Sequence, residues 1–236
     1  MKAILATLLA VACFGTHPSA QDGRKVFISA DMEGISGISG SDQLSATGAE
    51  YGRSRKMMAD DVNAAIRGAR AGGATTIVVN DSHGSSVVRD VRVNGTSMGE
   101  GGLNTTVAAW YGVPVVLVTG DDVAVRQVAE IATTAKTVAV KRAINPRAVE
   151  LRSFKDVHRM IENAAREGVA GARKFPPRRE ASYRVEVQFN DVTIPEVAEN
   201  LPGFQRPAPD TIAFTQDSMP KAYTLIRLLY RYINPD

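Results

Sequence analysis

Short apolar runs alternate along this chain with longer segments whose apolar positions recur at helical spacing. Val26-Phe27-Ile28 lies in a strand predicted over Lys25–Ala30, and a Gly/Ser-rich loop follows over Gly34–Gly48. Glu50–Ala71 predicts a helix, with Met58, Val62, Ala65, Ile66 and Ala69 along one face and Gly72-Gly73 closing it. Further strands are predicted at Thr75–Val79, at Val113–Thr119 (as a buried strand), and at Thr137–Lys141, Tyr183–Phe189 and Thr211–Phe214. Val91–Met98 reads as a hairpin around Asn94-Gly95, a pair that supplies the positive φ angles of a tight turn. Helices are predicted over Glu100–Tyr111, over Val123–Ala132 behind the caps Asp121-Asp122, and over Pro220–Ile233. Asn145-Pro146 predicts the start of another helix, a long one reaching about Arg173. Strands separated by helices imply an α/β layered fold, a central β-sheet flanked by helices with a C-terminal α/β portion. No internal repeat is present.

Composition narrows the picture. The chain has 236 residues, 44% hydrophobic and 22% charged, which suits a single domain over residues 21–236. The formal charge of +3 is scattered, and its main cluster, Arg173-Lys174 with Arg178-Arg179, flanks Pro176-Pro177 as a solvated linker would. No basic stripe or nucleic-acid-binding module accompanies it. Lys2, the apolar run Ala3–Phe14 and the small residues up to Ala20 have the layout of a signal peptide over residues 1–20. That run falls short of the roughly 20 apolar residues a membrane span needs. The expectation is an exported protein, periplasmic or extracellular, with lipid anchoring at Cys13 the alternative. Cys13 is the single cysteine, so a mature chain forms no disulfide, and any metal must be held by His, Asp and Glu.

Such residues stand where strands end. Asp31 and Glu33 follow the first strand, and positions i and i+2 of a strand point the same way, so their carboxylates converge. His83 follows the second strand within Asn80-Asp81-Ser82-His83-Gly84. In open α/β sheets ligands collect beyond the carboxyl ends of strands. The bland alternatives are solvated carboxylates and a turn histidine. Asp81 and Ser82 are placed to orient the imidazole rather than to ligate. Glu100 is either a first-turn carboxylate complementing the helix dipole or a fourth oxygen donor. Asp121 and Asp122 read as caps and His158 as a surface residue of its helix. Asp31, Glu33, His83 and, on its second reading, Glu100 form a mixed nitrogen and oxygen set suited to zinc, manganese or iron, and a bridging carboxylate would admit two ions.

The motifs Phe27-Ile28-Ser29-Ala30-Asp31-Met32-Glu33-Gly34-Ile35-Ser36-Gly37, Val79-Asn80-Asp81-Ser82-His83 and Gly99-Glu100-Gly101-Gly102-Leu103-Asn104, with Val115–Asp122, resemble the DppA-type D-aminopeptidases. The resemblance spans nearly all of the chain after the leader. It implies a two-zinc site in an α/β subunit, with Asp31 bridging and Glu33, His83 and Glu100 as further ligands. It also implies a ring-like homo-oligomer and hydrolysis of short peptides bearing an N-terminal D-amino acid, D-alanine above all. The family carries several dozen residues between its Asn-Asp-Ser-His motif and the hairpin. Among them are a Gly-Tyr-His element, whose histidine binds the second zinc, and a histidine assigned to catalysis. No histidine lies between His83 and His158, so this chain lacks a counterpart of both, and its catalytic residue is unassigned. Asp31, Glu33 and His83 suffice for one ion, whereas a second ion would keep only Asp31 and Glu100.

The resulting expectation is a zinc-dependent, aminopeptidase-like hydrolase of D-amino-acid peptides that lacks a family segment after about residue 86. Two rivals stand beside it. One is a non-catalytic relative that binds a D-Ala peptide or a metal, and the other is a one-metal phosphatase or amidase.

Overall fold

The computed structural model describes residues 23–84, 87–145 and 148–233. The leader assigned to residues 1–20 lies outside them. Strand β1 (Arg24–Ala30) is joined through two 3-10 turns and helix α1 (Tyr51–Ala71) to β2 (Ala74–Asp81), which pairs with it in parallel, Phe27 beside Val78 and Ala30 beside Asp81. β3 (Val88–Val93) and β4 (Thr96–Ser97) form the expected hairpin, with Asn94 at φ 51° and Gly95 at φ 84°. α2 (Glu100–Trp110) then leads to β5 (Leu117–Asp121), α3 (Asp122–Ile131) and β6 (Lys136–Asn145), which lies parallel to β5.

After β7 (Ala148–Leu151) and α4 (Phe154–Gly171) the chain enters a compact C-terminal region. Here β8 (Tyr183–Phe189), α5 (Thr193–Ala198), β9 (Gln205–Ala208), β10 (Thr211–Gln216) and α6 (Met219–Tyr232) follow one another. The described strands form three sheets: β1-β2, β5-β6-β7, and the wholly antiparallel β4-β3-β8-β10-β9.

In the antiparallel sheet every second residue of β8 points inward, so Tyr183, Val185, Val187 and Phe189 are buried while the residues between them are more open. α6 covers that face with Met219, Ala222, Ile226 and Leu229. The parallel strands are backed by α1 and α4. These helices approach closely because Gly68 has no side chain: a Cβ there would stand 2.1 Å from the Glu162 carbonyl oxygen. The α/β layering of sheets flanked by helices is therefore the one the sequence pattern predicts.

Four details differ from that pattern. No helix starts at Asn145: β6 runs through it, and Ala148–Leu151 pairs antiparallel with Lys141–Asn145 as β7. The long helix starts only at Phe154, because all four residues of 148–151 are paired to β6 as a strand. His158 on that helix is not a surface residue: its ring is three-quarters buried, and Nε2 lies 3.0 Å from Asp61 Oδ1, at ion-pair distance but without hydrogen-bond alignment. The fifth strand begins at Leu117 rather than Val113, since Val113 N–H still bonds back to the Ala108 carbonyl at the end of α2, which leaves Val113 exposed. α5 and β9 escape the apolar pattern altogether, being too short for a periodicity to show.

The cap at α3 is as expected: one Asp121 carboxylate oxygen accepts from the Val123 and Ala124 N–H groups at 2.8 and 2.9 Å. Asp121→Ala is expected to lower stability by about 1 kcal/mol in urea denaturation, since two helix-end donors lose their acceptor. An unchanged midpoint would show that water serves those donors equally well.

Among the described residues, nothing covers one face of the β1-β2 pair. Phe27 is 63% exposed and its register partner Val78 is 54% exposed. Parallel strands are normally covered on both faces, and near-continuous apolar sequence such as that of β1 and β2 is the mark of such burial.

Candidate metal centre

Strand β1 ends at Ala30, and Asp31 is still extended, at φ −133° and ψ 133°. Met32–Gly34 then form a 3-10 turn, with Gly34 N–H bonded to the Asp31 carbonyl. Asp31 and Glu33 thus converge because the chain curls just past the strand, rather than through strand alternation. Met32 between them is buried, so the two flanking carboxylates are left at the surface end of the sheet.

β2 lies beside β1 in register, which carries His83 to the same end. Asp81 and Ser82 shape the chain there without touching the imidazole. Asp81 Oδ1 accepts from the His83 backbone N–H at 3.0 Å, and Ser82 Oγ donates to the Ala30 carbonyl at 2.8 Å. The imidazole is oriented by Leu44, whose carbonyl lies 2.8 Å from His83 Nε2 and can only accept. Nε2 therefore carries a proton, and Nδ1 is turned to the carboxylates, 2.8 Å from Glu33 Oε2 and 3.2 Å from Asp31 Oδ1. A histidine whose second nitrogen is held by a carbonyl is the usual arrangement of a metal ligand. Leu44 gives no sign of this role in the sequence, because the acceptor is backbone.

Ligand atoms of Asp31, Glu33 and His83 all lie within 4.8 Å of one another, the one such cluster among the described residues. Glu100, the first residue of α2, is outside that trio but hydrogen-bonds to Asp31. The electrostatics are those of crowded acids. Burial, then the neighbouring Asp31, pushes Glu33 up to about 7. Burial, then Asp31 and the charge of Glu33, pushes Glu100 up to about 8. Burial opposes the charge on His83, but the Leu44 carbonyl and the carboxylates outweigh it and raise the imidazole to about 8. Asp31 is also partly desolvated, yet hydrogen bonds from Glu33, Glu100 and His83 hold it below the ordinary carboxylate range. Three groups that retain protons near neutrality around one ionised carboxylate make a place where a divalent cation fits.

Behind the cluster, Lys141 of β6 is buried and donates to the Glu33 and Ile38 carbonyls. Asp61 of α1, also buried, accepts from Ser36 N–H at 2.8 Å and Ser36 Oγ at 2.7 Å. Neither residue stood out in the sequence, since Asp61 follows another aspartate on a helix and Lys141 precedes Arg142 at the end of an apolar run. Asp121 caps α3 as expected, whereas Asp122 does not cap it but accepts from the Ala143 N–H of β6; neither joins the cluster.

An α/β scaffold with an Asp/Glu/His trio where adjacent parallel strands end can hold a divalent metal ion, as the class of metal-dependent hydrolases requires. The sequence profile of the D-aminopeptidase family, peptidase family M55, matches residues 24–87 and 84–228, and the chain belongs to that family. The D-aminopeptidase of Bacillus subtilis (strain 168) is 26% identical over 257 aligned positions, which take in 84% of this chain and 94% of the relative. A solved structure described as the Zn-dependent D-aminopeptidase DppA from Bacillus subtilis, a self-compartmentalizing protease, shares the fold. Its TM-score is 0.83 at 24% identity, over 90% of this chain and 99% of that one.

Proposed function

We propose that this chain is a zinc-dependent aminopeptidase that acts on short peptides with an N-terminal D-amino acid, D-alanine in particular. The observation that carries this reading is the Asp31–Glu33–His83 trio within 4.8 Å in a chain of the D-aminopeptidase family. Asp31, Glu33 and His83 Nδ1 would hold the metal. A zinc ion there supplies Lewis acidity toward a peptide carbonyl and lowers the pKa of water beside it. Glu33 and His83 must release their protons to bind it. Glu100, outside the trio but hydrogen-bonded to Asp31, is the residue available to hold or pass a proton. One ion is proposed, because the second would rest on Asp31 and Glu100 alone.

The chain further lacks a family segment after about residue 86. In support, the two profile matches meet at residues 84–87, and the alignment with the relative, at 257 positions, is longer than this whole chain of 236. Export to the periplasm and assembly into a homo-oligomer belong to the same reading; the described helices include none long and apolar enough to cross a membrane.

The deciding experiment is release of D-alanine from a D-Ala dipeptide by the purified chain, with zinc and with a chelator. Zinc-dependent, chelator-sensitive turnover is expected. Binding of zinc without turnover would replace the enzyme by the non-catalytic relative, a reading that the uncovered face and the lack of a histidine between His83 and His158 favour.

A further inference from the structure

The loop over residues 31–40, which presents two of the three candidate ligands, is held from behind by buried charges that do not reach the ligand trio. On one side β6 alternates, Val138 and Val140 facing the helices and Lys141 the loop. Lys141 is 4% exposed, an unusual place for an ammonium, and its Nζ donates to the Glu33 carbonyl at 2.5 Å and the Ile38 carbonyl at 3.1 Å. The 3-10 turn uses the carbonyls of Asp31 and Met32 but not that of Glu33, so Lys141 is the partner that satisfies it. On the other side the Asp61 carboxylate, 6% exposed, fixes Ser36 through both its backbone N–H and its hydroxyl.

We propose that Lys141 is a positioning residue of the metal centre. By tying the carbonyls of Glu33 and Ile38 to β6, it sets the backbone from which the Glu33 carboxylate reaches His83 Nδ1. Burial lowers the pKa of the Lys141 ammonium, and the nearby carboxylates, Glu33 and Asp31 among them, oppose that shift. Both hydrogen bonds go to backbone carbonyls and the ammonium is enclosed, so Lys141 acts through Glu33 and does not touch the reacting atoms. The inference rests on the zinc-site reading above.

The test compares zinc dissociation constants of the wild-type chain, Lys141→Met and Lys141→Arg by competition with a chromophoric chelator, with cobalt(II) absorption spectra alongside. Lys141→Met keeps the length and loses the charge and donors. It is expected to bind zinc 10- to 100-fold more weakly, the range typical of groups that orient ligands. Ile212→Val, a buried position in β10 within the core of the antiparallel sheet, serves as a variant that loses stability without touching the loop. Its zinc affinity is expected to stay at the wild-type value, which separates positioning from general loosening. Should Lys141→Met not fold, Lys141→Arg decides. It keeps charge and donors at a different reach, and is expected to alter the cobalt spectrum and weaken binding by about 3-fold or more. Wild-type affinity and an unchanged spectrum in the folded variants would overturn the role of Lys141 and leave the zinc site standing. A wild-type chain that binds no zinc would overturn the zinc-site reading itself.

Discussion

His83→Ala is expected to reduce zinc affinity by more than about 100-fold, beyond the range seen when only a ligand's supporting partner is lost. His83 contributes the one nitrogen of the trio, and its Nδ1 stands at 2.8 and 3.2 Å from the two carboxylates. Without it, Asp31, Glu33 and Glu100 face one another with no ring between them. The imidazole also serves the Leu44 carbonyl, which would be left without its donor. The same substitution has a pH-dependent cost in the zinc-free protein. His83 has its pKa raised from 6.5 to about 8, so the stability it contributes is full below 6.5 and is lost as pH rises through about 8. His83→Ala should therefore lower the melting temperature more at pH 6 than at pH 9. Chelator competition and thermal melts at those two pH values check both parts; wild-type affinity in the variant would remove His83 from the site.

The second large effect is the pH dependence of zinc binding in the unaltered chain. Glu33 is raised from 4.5 to about 7 and Glu100 from 4.5 to about 8, so each is favoured protonated in the fold. In the unfolded chain both ionise above 4.5. Their contribution to stability is full below that value and lost as pH rises through about 7 to 8, in the same direction as that of His83. Asp31, lowered from 3.8, contributes stability above that value and loses it only in acid, outside this window. The zinc-free protein should thus melt at lower temperature at pH 8.5 than at pH 5.5. Because the Glu33 side chain is 43% exposed, its share is reduced by solvent screening. Zinc reverses the trend, since it replaces the protons that neutralised the cluster. Its apparent affinity should climb between pH 6 and 8 by about tenfold per pH unit for each proton displaced. A melting temperature that is flat or rises with pH in the zinc-free chain would show that these groups do not retain protons as the geometry requires.

The uncovered β1-β2 face lies mid-strand, at Phe27 and Val78, whereas the acid cluster stands just past the strand ends, near residues 84–87 where the two family matches meet. A parallel pair whose apolar face has no covering layer is unusual in a layered α/β fold. The trio survives this because each of its residues belongs to β1, β2 or the turn directly after them, and Leu44, Ser82, Asp61 and Lys141 hold those turns from elements that are all present.

Much of this was readable along the chain. The strands at β1, β2 and β8, the helices α1, α2 and α6, the Asn94-Gly95 hairpin and the Asp121 cap follow from apolar spacing and turn chemistry, which are properties of neighbouring residues. So does the chemistry of the site, because Asp31, Glu33 and His83 each stand just past a strand. Other features depend on residues far apart. Ala148–Leu151 became a strand because β6 offered it partners, against a local Asn-Pro signal for helix. His158 looked like a surface residue until Asp61 of α1 was packed against it. The direction of the His83 lone pair is fixed by a backbone carbonyl, and the Glu33 turn by an ammonium more than a hundred residues later. Local patterning sets which elements form and which donors they carry. The distances, tautomer and proton affinities that bring those donors together as a candidate metal centre come from packing β6, α1 and the 31–44 loop around one point, since hydrogen bonds and desolvation act between whichever groups the fold brings together.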